Sequence, residues 1–141
     1  MRSAVMALCA VLLWPAASAT TYLVRPDGIG PFPTIQAAIN AAVNGDVIEL
    51  ADGVFRGNGN RDVDYLGKEI VIRSQGGDPY ACVLDCEGSP ETPHRGFVFR
   101  NVGSNGVLAG VTVMNGFQYE GGGVYLEDSS PRIERCIFEH N

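Results

Sequence analysis

Short, mainly apolar runs that include or end in a charged residue, separated by turn residues, dominate the chain after residue 45. Four of them predict strands of about four residues each. They are Val47–Leu50, Ile70–Arg73, Phe97–Arg100 and Val124–Glu127. Thr20–Arg25 predicts a further strand at the start. Asp52-Gly53 predicts a turn, and the polar, glycine-rich segment Arg56–Asp64 predicts a loop.

One segment has helical rather than strand periodicity. Ile35, Ala38, Ile39 and Ala42 fall at positions i, i+3, i+4 and i+7, so they share one face of a helix. Thr34 is placed to cap the amino end, and Asn44-Gly45 is expected to end the helix. The narrow, alanine-rich stripe predicts close packing against the end of a sheet structure.

Two series of strands repeat along the chain. Ile70–Arg73, Phe97–Arg100 and Val124–Glu127 follow one another in steps of 27 residues. The segments 83–86, 108–111 and 133–136 follow in steps of 25. Such periods are typical of one supersecondary unit stacked on copies of itself. The strands should therefore pair in parallel between coils.

The proposed register makes specific predictions about side chains. Alternating apolar residues should point inward, in the pairs Ile70/Ile72, Phe97/Phe99 and Val111/Val113. Cys86, Val111 and Cys136 should form one inward ladder. Arg73, Arg100 and Glu127 should stack outward on successive coils.

Residues 1–19 have the composition of a cleaved export signal. Arg2 precedes a short apolar run from Ala4 to Trp14, and Ala17-Ser18-Ala19 offers a small-x-small cleavage site. The run is shorter than the roughly 20 residues of a membrane-spanning helix. We therefore expect a secreted or cell-surface (outer-membrane) protein whose mature part, residues 20–141, has no membrane span. The net charge of −6 argues against a nucleic-acid partner.

The cysteines predict buried thiols rather than disulfides. Cys82, Cys86 and Cys136 remain after cleavage, and an odd number argues against a complete disulfide framework. If residues 82–86 are extended, the first two lie about 13 Å apart, well beyond the roughly 7 Å that a disulfide allows. A zinc site would need more ligands than His94 and His140 could add to these cysteines.

Two motifs resemble the right-handed parallel β-helix proteins of the pectate-lyase-like superfamily. The segment 33–48 is similar to the helix that caps the amino end of those proteins. The segment 121–141, with Gly121-Gly122-Gly123 and Ser130-Pro131, is similar to coils of bacterial surface-exported members and of polymorphic outer membrane protein repeats. The resemblance covers residues 20–141. It implies an all-β, right-handed parallel β-helix solenoid with an N-terminal capping α-helix.

The carboxyl end predicts an open stack. The chain stops directly after a strand pattern, at Glu139-His140-Asn141, with no capping element. An uncovered strand edge invites pairing. We therefore expect an incomplete domain, continued by further β-helix coils or covered by a second subunit.

The resemblance also implies candidate chemistry. Lyases of this superfamily hold calcium with carboxylates and use a basic residue to abstract a sugar proton. The catalytic candidates are Arg73 and Arg100. The binding candidates are Glu127, Asp85 and Glu87, with the last two expected to face outward beside Cys86. Asp62 and Asp64 are candidate calcium ligands. The competing interpretation is a solvated wall whose ion pairs contribute about 0–1 kcal/mol.

The leading functional hypothesis is a non-catalytic exported scaffold that adheres to surfaces or binds a polysaccharide or cell-surface glycan, with no cofactor. The alternative is a calcium-dependent, pectate-lyase-like enzyme whose catalytic coils are missing from this chain. A third hypothesis is a structural repeat of an outer-membrane passenger. Because one fold hosts many activities, the resemblance alone does not choose among them.

Overall fold

The computed structural model describes residues 17–141. Most of the predicted export signal, including Arg2 and the apolar run, lies outside these residues. Within them the chain forms one helix and twelve strands. These are β1 (Thr21–Val24), α1 (Ile35–Ala41), β2 (Val47–Leu50), β3 (Gly53–Phe55), β4 (Val63–Asp64), β5 (Val71–Ser74), β6 (Cys82–Asp85), β7 (Phe97–Arg100), β8 (Val107–Ala109), β9 (Thr112–Met114), β10 (Val124–Glu127), β11 (Arg132–Glu134) and β12 (Ile137–Glu139).

The strands form three parallel sheets that stack as a β-solenoid of about four turns. Sheet 1 has the order β1-β2-β5-β8-β11, sheet 2 the order β3-β6-β9-β12, and sheet 3 the order β4-β7-β10. Three coils contribute one strand to each sheet in turn: β2-β3-β4, β5-β6-β7 and β8-β9-β10. β1 precedes them in sheet 1, and β11 and β12 follow in sheets 1 and 2. The predicted fold class, with its parallel pairing and single helix, is confirmed.

The core is a column of inward-facing side chains between the three sheets. Every residue of the predicted inward pairs is buried, from Ile70 and Ile72 to Val111 and Val113. Tyr65 is also completely buried, and its hydroxyl donates a hydrogen bond to the Val107 carbonyl at 2.8 Å. Burial of these side chains is the main stabilising contribution of the stack.

Helix α1 covers the first coil. The Thr34 side chain accepts a hydrogen bond from the Ala37 N–H at 3.2 Å, as the cap pattern predicts. Ile35, Ala38 and Ile39 are buried, and the helix packs against β1, β2 and β4. The predicted end at Asn44-Gly45 is wrong. The helix ends at Ala41, because Ala42 is already extended (ψ 153°) and leads the chain toward β2.

Four short strands were not predicted: β3, β4, β9 and β12. The predicted segments 108–111 and 133–136 correspond to β8 and β11 and stop before β9 and β12 begin. β3 begins at Gly53, which was expected to turn the chain, and β4 lies in the segment that was expected to be a loop. Val63 and Phe55, one on each strand, are completely buried. A coil therefore contains three strands, where the two repeating series predicted two.

The predicted repeat steps give the right strand partners for the last strands of the chain and the wrong partners for the earlier strands. Phe97 pairs with Val124, a step of 27, and Leu108 pairs with Ile133, a step of 25. In contrast, β7 pairs with β4 rather than with β5, and β6 pairs with β9 rather than with β8. Cys86 consequently does not align with Val111. The cause is the second coil, whose connections 75–81 and 86–96 are longer than the matching connections of its neighbours.

Candidate functional site

An apolar cleft opens where the chain passes from sheet 2 to sheet 3. It has a volume of about 400 Å³. Its walls come from two loops, 86–96 of the second coil and 115–123 of the third. We call it the aromatic cleft and define it by five lining residues: Pro90, Pro93, Phe117, Gln118 and Tyr119. The Tyr119 side chain is fully exposed and Phe117 is 44% exposed, so both rings are available to a ligand.

Backbone hydrogen bonds fix the two loops against each other. Phe117 N–H donates to the His94 carbonyl at 2.7 Å, in an isolated antiparallel bridge. Gly88 N–H donates to the Asn115 carbonyl at 2.8 Å. A Cβ at Gly88 would lie 2.6 Å from the Phe117 nitrogen, so this close approach requires glycine. The cleft is therefore a preformed feature of two successive coils.

Asn141, which lies after β12 in the fourth coil, binds the loop 115–123 of the third coil. Its side-chain oxygen accepts a hydrogen bond from the Gly116 N–H at 2.8 Å, and its Nδ2 donates to the Val113 carbonyl at 2.9 Å. These bonds tie the loop that carries Phe117 and Tyr119 to the end of β12. The geometry of the cleft thus depends on three coils.

Asp62, which precedes β4 in the first coil, binds the loop 86–96 of the second coil. Its Oδ2 lies 2.6 Å from His94 Nδ1, and its Oδ1 accepts a hydrogen bond from the Arg95 N–H at 2.8 Å. His94 is thus a half-buried link between two coils. Asp62 is engaged in holding this loop.

The outer face of sheet 3 carries an aromatic ring between two guanidinium groups. The Cζ atoms of Arg95 and Arg100 lie 4.8 Å and 5.6 Å from the centroid of the Tyr125 ring. Both distances fit cation–π contacts. Arg95 lies two residues after Pro93, which lines the aromatic cleft. Among residues 17–141, Arg95 has no carboxylate partner within salt-bridge distance.

Arg100 differs from Arg95 because it is held by two carboxylates. It lies 2.9 Å from Asp64 on the preceding strand and 3.0 Å from Glu127 on the following one. The predicted neighbours Arg100 and Glu127 are therefore brought together, and Asp64 joins them.

Arg73 does not belong to this group, and the predicted ladder of Arg73, Arg100 and Glu127 is wrong. Arg73 lies on β5 in sheet 1, where its Nη2 is 2.7 Å from Glu49. The error follows from the assignment of β5 and β7 to one sheet. The two arginines that were proposed as catalytic candidates lie on different walls of the solenoid.

Asp85 follows inward-facing Leu84 on β6 and so lies on the outer side of the strand, as expected, but it is buried. Arg56 donates to it at 3.1 Å and Asn115 donates to it at 2.9 Å. Burial acts to raise the pKa of Asp85, but the hydrogen bonds from Asn115, Arg56 and the Glu87 N–H outweigh it, so the pKa is lowered. The carboxylate thus stays charged and joins three coils.

Glu87 is exposed, and it binds the loop 56–62. Its Oε2 accepts from the Gly57 N–H at 3.0 Å and lies 3.2 Å from Arg61 Nη1. The two acidic binding candidates are therefore engaged by arginines and backbone groups of the first coil. Both connect coils.

The two calcium candidates do not converge on a common point. Asp62 bonds to His94 and Arg95, whereas Asp64 bonds to Arg100 and the Leu66 N–H. Between residues 17 and 141 no three His, Cys, Asp or Glu side chains gather closely enough to hold a metal ion.

All three cysteines of the described part are free thiols, as the sequence predicts. Burial raises the pKa of Cys82 and of Cys86 to about 12. Because the thiolate is the reactive form, these two residues serve as apolar core residues rather than as nucleophiles.

The residues of the aromatic cleft were not identified as a site from the sequence. The available signal was the length of 86–96, which exceeds the other sheet 2 to sheet 3 connections and contains Pro90 and Pro93. Two nearby aromatic residues in the next loop, Phe117 and Tyr119, complete the pattern.

No helix between residues 17 and 141 has the length and apolarity that crossing a membrane requires. Comparison of the chain with models of protein families, with curated proteins and with solved structures gave no match. The resemblance to the pectate-lyase-like superfamily therefore stays a prediction from the sequence, and the site must be interpreted from its own geometry.

Proposed function

We propose that this chain is an exported, non-catalytic β-solenoid that binds carbohydrate in the aromatic cleft. The observation that carries the proposal is the cleft itself, a preformed apolar hollow of about 400 Å³ with two exposed aromatic rings. The leader-like residues 1–19 support export to the cell surface or the medium.

The chemistry of the cleft suits a sugar ring. A pyranose has apolar C–H faces that pack on aromatic rings, and a rim of hydroxyl groups that needs polar partners. Small-ligand sites are lined mainly by apolar and aromatic groups, with a few polar groups that fix orientation. Phe117 and Tyr119 provide the apolar surface, and Gln118 provides an amide that both donates and accepts.

Arg95 favours an acidic sugar. Its guanidinium lies over the Tyr125 ring without a carboxylate partner among the described residues, and Arg95 is two residues from Pro93 of the cleft. A guanidinium pairs with a carboxylate through two parallel hydrogen bonds, which gives geometric selectivity. A uronate residue in the cleft would supply that carboxylate.

The lyase alternative has less support. Its candidate bases, Arg73 and Arg100, lie on separate sheets and are paired with acidic side chains. Its candidate calcium ligands, Asp62 and Asp64, are engaged with separate partners. A catalytic base and a bound metal would have to act on one sugar, and these groups are not arranged around one.

Binding to immobilised polysaccharides tests the proposal. We expect the purified chain to bind at least one uronate-containing polysaccharide. Phe117→Ala and Tyr119→Ala should each weaken binding by about tenfold, since aromatic contacts of this kind contribute on the order of 1 kcal/mol or more. Tyr80→Ala is the matched control, because Tyr80 is 81% exposed on the connection 75–81 and does not line the cleft.

Two results would contradict the proposal. One is binding that the cleft variants and the control weaken equally. The other is an increase in ultraviolet absorbance when the chain acts on polygalacturonate with calcium, because the new double bond would indicate eliminative cleavage. Loss of that signal in Arg100→Ala or with a chelator would favour the lyase alternative.

A further inference from the structure

The Tyr125 ring holds the Arg95 guanidinium on the outer wall of sheet 3. The Arg95 Cζ lies 4.8 Å from the ring centroid, which fits a cation–π contact. An aromatic ring attracts a cation but carries no net charge, in contrast to the two carboxylates that pair with Arg100. The guanidinium of Arg95 is therefore held in place while its charge stays available to an anion.

Tyr125 is itself supported by its neighbours on the wall. It pairs with Val98 of β7, which lies on the outer side between the inward-facing Phe97 and Phe99. Val98 is nevertheless only 5% exposed, so side chains of the outer wall cover it. The Cζ of Arg100 also lies 5.6 Å from the Tyr125 centroid. The ring thus belongs to a packed surface, and a guanidinium on this ring is preorganised for binding.

The backbone places Arg95 on the same side as one wall of the cleft. His94 and Phe117 form an antiparallel bridge, which requires extended backbone at both residues. Side chains two residues apart in an extended segment point to the same side, about 7 Å from each other. Pro93, which lines the cleft, and Arg95 are such a pair. An arginine side chain at this position can reach an acidic group of a ligand that is held against Pro93.

From these observations we propose that Tyr125 is a positioning residue that sets the charge selectivity of the aromatic cleft. By holding the Arg95 guanidinium, it makes the site prefer a sugar with a free carboxylate over the same sugar without one. A guanidinium forms two parallel hydrogen bonds with a carboxylate, and fixing it in advance reduces the conformational cost of binding. The inference rests on the proposed carbohydrate-binding function and adds how that site recognises charge.

The overall charge of the chain works against such a preference. The net charge is −6, so long-range electrostatic forces disfavour acidic polymers. A preference for the acidic form of a ligand must therefore come from a local group such as Arg95.

Paired ligands test the proposal. Polygalacturonate, alginate and hyaluronate are each compared with a carboxyl-reduced form of the same polymer, in which primary alcohols replace the carboxylates. The selectivity is the dissociation constant for the reduced form divided by that for the acidic form. For at least one polymer we expect a selectivity of about ten or more, because hydrogen bonds between charged groups are the stronger ones. Arg95→Gln should lower this selectivity to about one or below.

Variants of Tyr125 separate positioning from general packing. Tyr125→Leu should lower the selectivity by about threefold, because the cation–π contact is lost while an apolar side chain still covers Val98. The affinity for the reduced polymer should stay the same. Tyr125→Phe keeps the ring and should keep the selectivity. Phe117→Ala should weaken the binding of both forms equally, and Arg132→Gln, which removes a positive charge from sheet 1, should change neither affinity.

The outcomes distinguish this inference from the function on which it rests. Circular dichroism of each variant verifies that the solenoid is folded. Binding through the cleft without selectivity for the acidic form would overturn the inference alone. A selectivity that Tyr125→Leu leaves unchanged would do the same, as would equal losses for both forms in that variant. If none of the three polymer pairs binds, or if Phe117→Ala has no effect, the proposed function fails and the inference fails with it.

Discussion

The two ends of the solenoid present the same kind of inward side chain in different surroundings. At the first coil, Ile48 and Leu50 are covered by helix α1 and the second coil, and they are buried. At the last coil, Ile133 occupies the position equivalent to Ile48, and Phe138 points inward from sheet 2, yet they stay 38% and 44% exposed. The comparison shows that the register decides where a side chain points, whereas the neighbouring element decides whether the side chain leaves water.

The largest expected effect on stability concerns two aligned inward positions of sheet 1, one in the closed core and one in the last coil. Leu108→Ala should lower the free energy of unfolding by about 2–5 kcal/mol, because it leaves a cavity in a closed core. Ile133→Ala, one coil later in the same ladder, should cost about 1 kcal/mol or less in the monomer, because much of that side chain is already in water. Urea unfolding at low protein concentration measures both. Equal costs would contradict the assigned difference in burial.

A second prediction removes the support of the covering helix. Lys68 Nζ donates to the carbonyls of Ile39, Asn40 and Ala42 at 2.6, 3.2 and 2.7 Å, so it satisfies the carboxyl end of α1. Lys68→Met should lower the free energy of unfolding by about 1–3 kcal/mol, since hydrogen bonds to a charged group are lost. Arg25→Met loses the same charge near the same end and should cost much less.

Hydrogen exchange locates this effect. The amides of α1 should exchange faster in the Lys68 variant, whereas those of the last coil should keep their rates. Uniformly faster exchange along the whole stack would contradict a local role for this lysine.

The smallest expected effect is a pH dependence of the folding stability, caused by Asp46 at the end of the solenoid that helix α1 covers. Hydrogen bonds from the Val43 and Thr20 N–H groups, at 2.9 and 2.8 Å, lower the pKa of Asp46 from its usual 3.8. A lowered folded-state pKa means that the Asp46 carboxylate stabilises the fold above this value, and that the contribution is lost as the pH falls below it.

Asp46→Asn should therefore cost about 1 kcal/mol near neutral pH, and the difference from the original chain should shrink in acid. Chemical unfolding at several pH values measures this. A difference that stays constant down to about pH 2 would indicate that the charge of Asp46 is not responsible.

The sequence predicted that the strands stack in parallel better than it predicted which strands pair. Phe97, Val98 and Phe99 form a short apolar run that ends at Arg100, which favours a strand, and the parallel stack follows from the repetition of this run at Val124. β3 and β4 were missed because a strand of two or three residues that starts at Gly53, or follows a polar loop at Val63, has too few positions to show a period.

The site was less predictable than the fold. Pro93 and Phe117 are 24 residues apart, and their meeting depends on which strands pair across coils. That pairing was misassigned at the second coil, where longer connections interrupt the period, and Arg73 was consequently placed beside Arg100. The cleft is built by those same irregular connections, so the part of the chain that disturbs the repeat is also the part with a candidate binding role.

The three-strand coil has a consequence for how such a protein can diversify. Because connections between walls project outward, residues can be inserted into 86–96 or 115–123 without displacing the strands on either side. Two successive coils each supply half of the hollow, so a change of length in either loop would alter the ligand that fits. The scaffold and its specificity can therefore evolve separately.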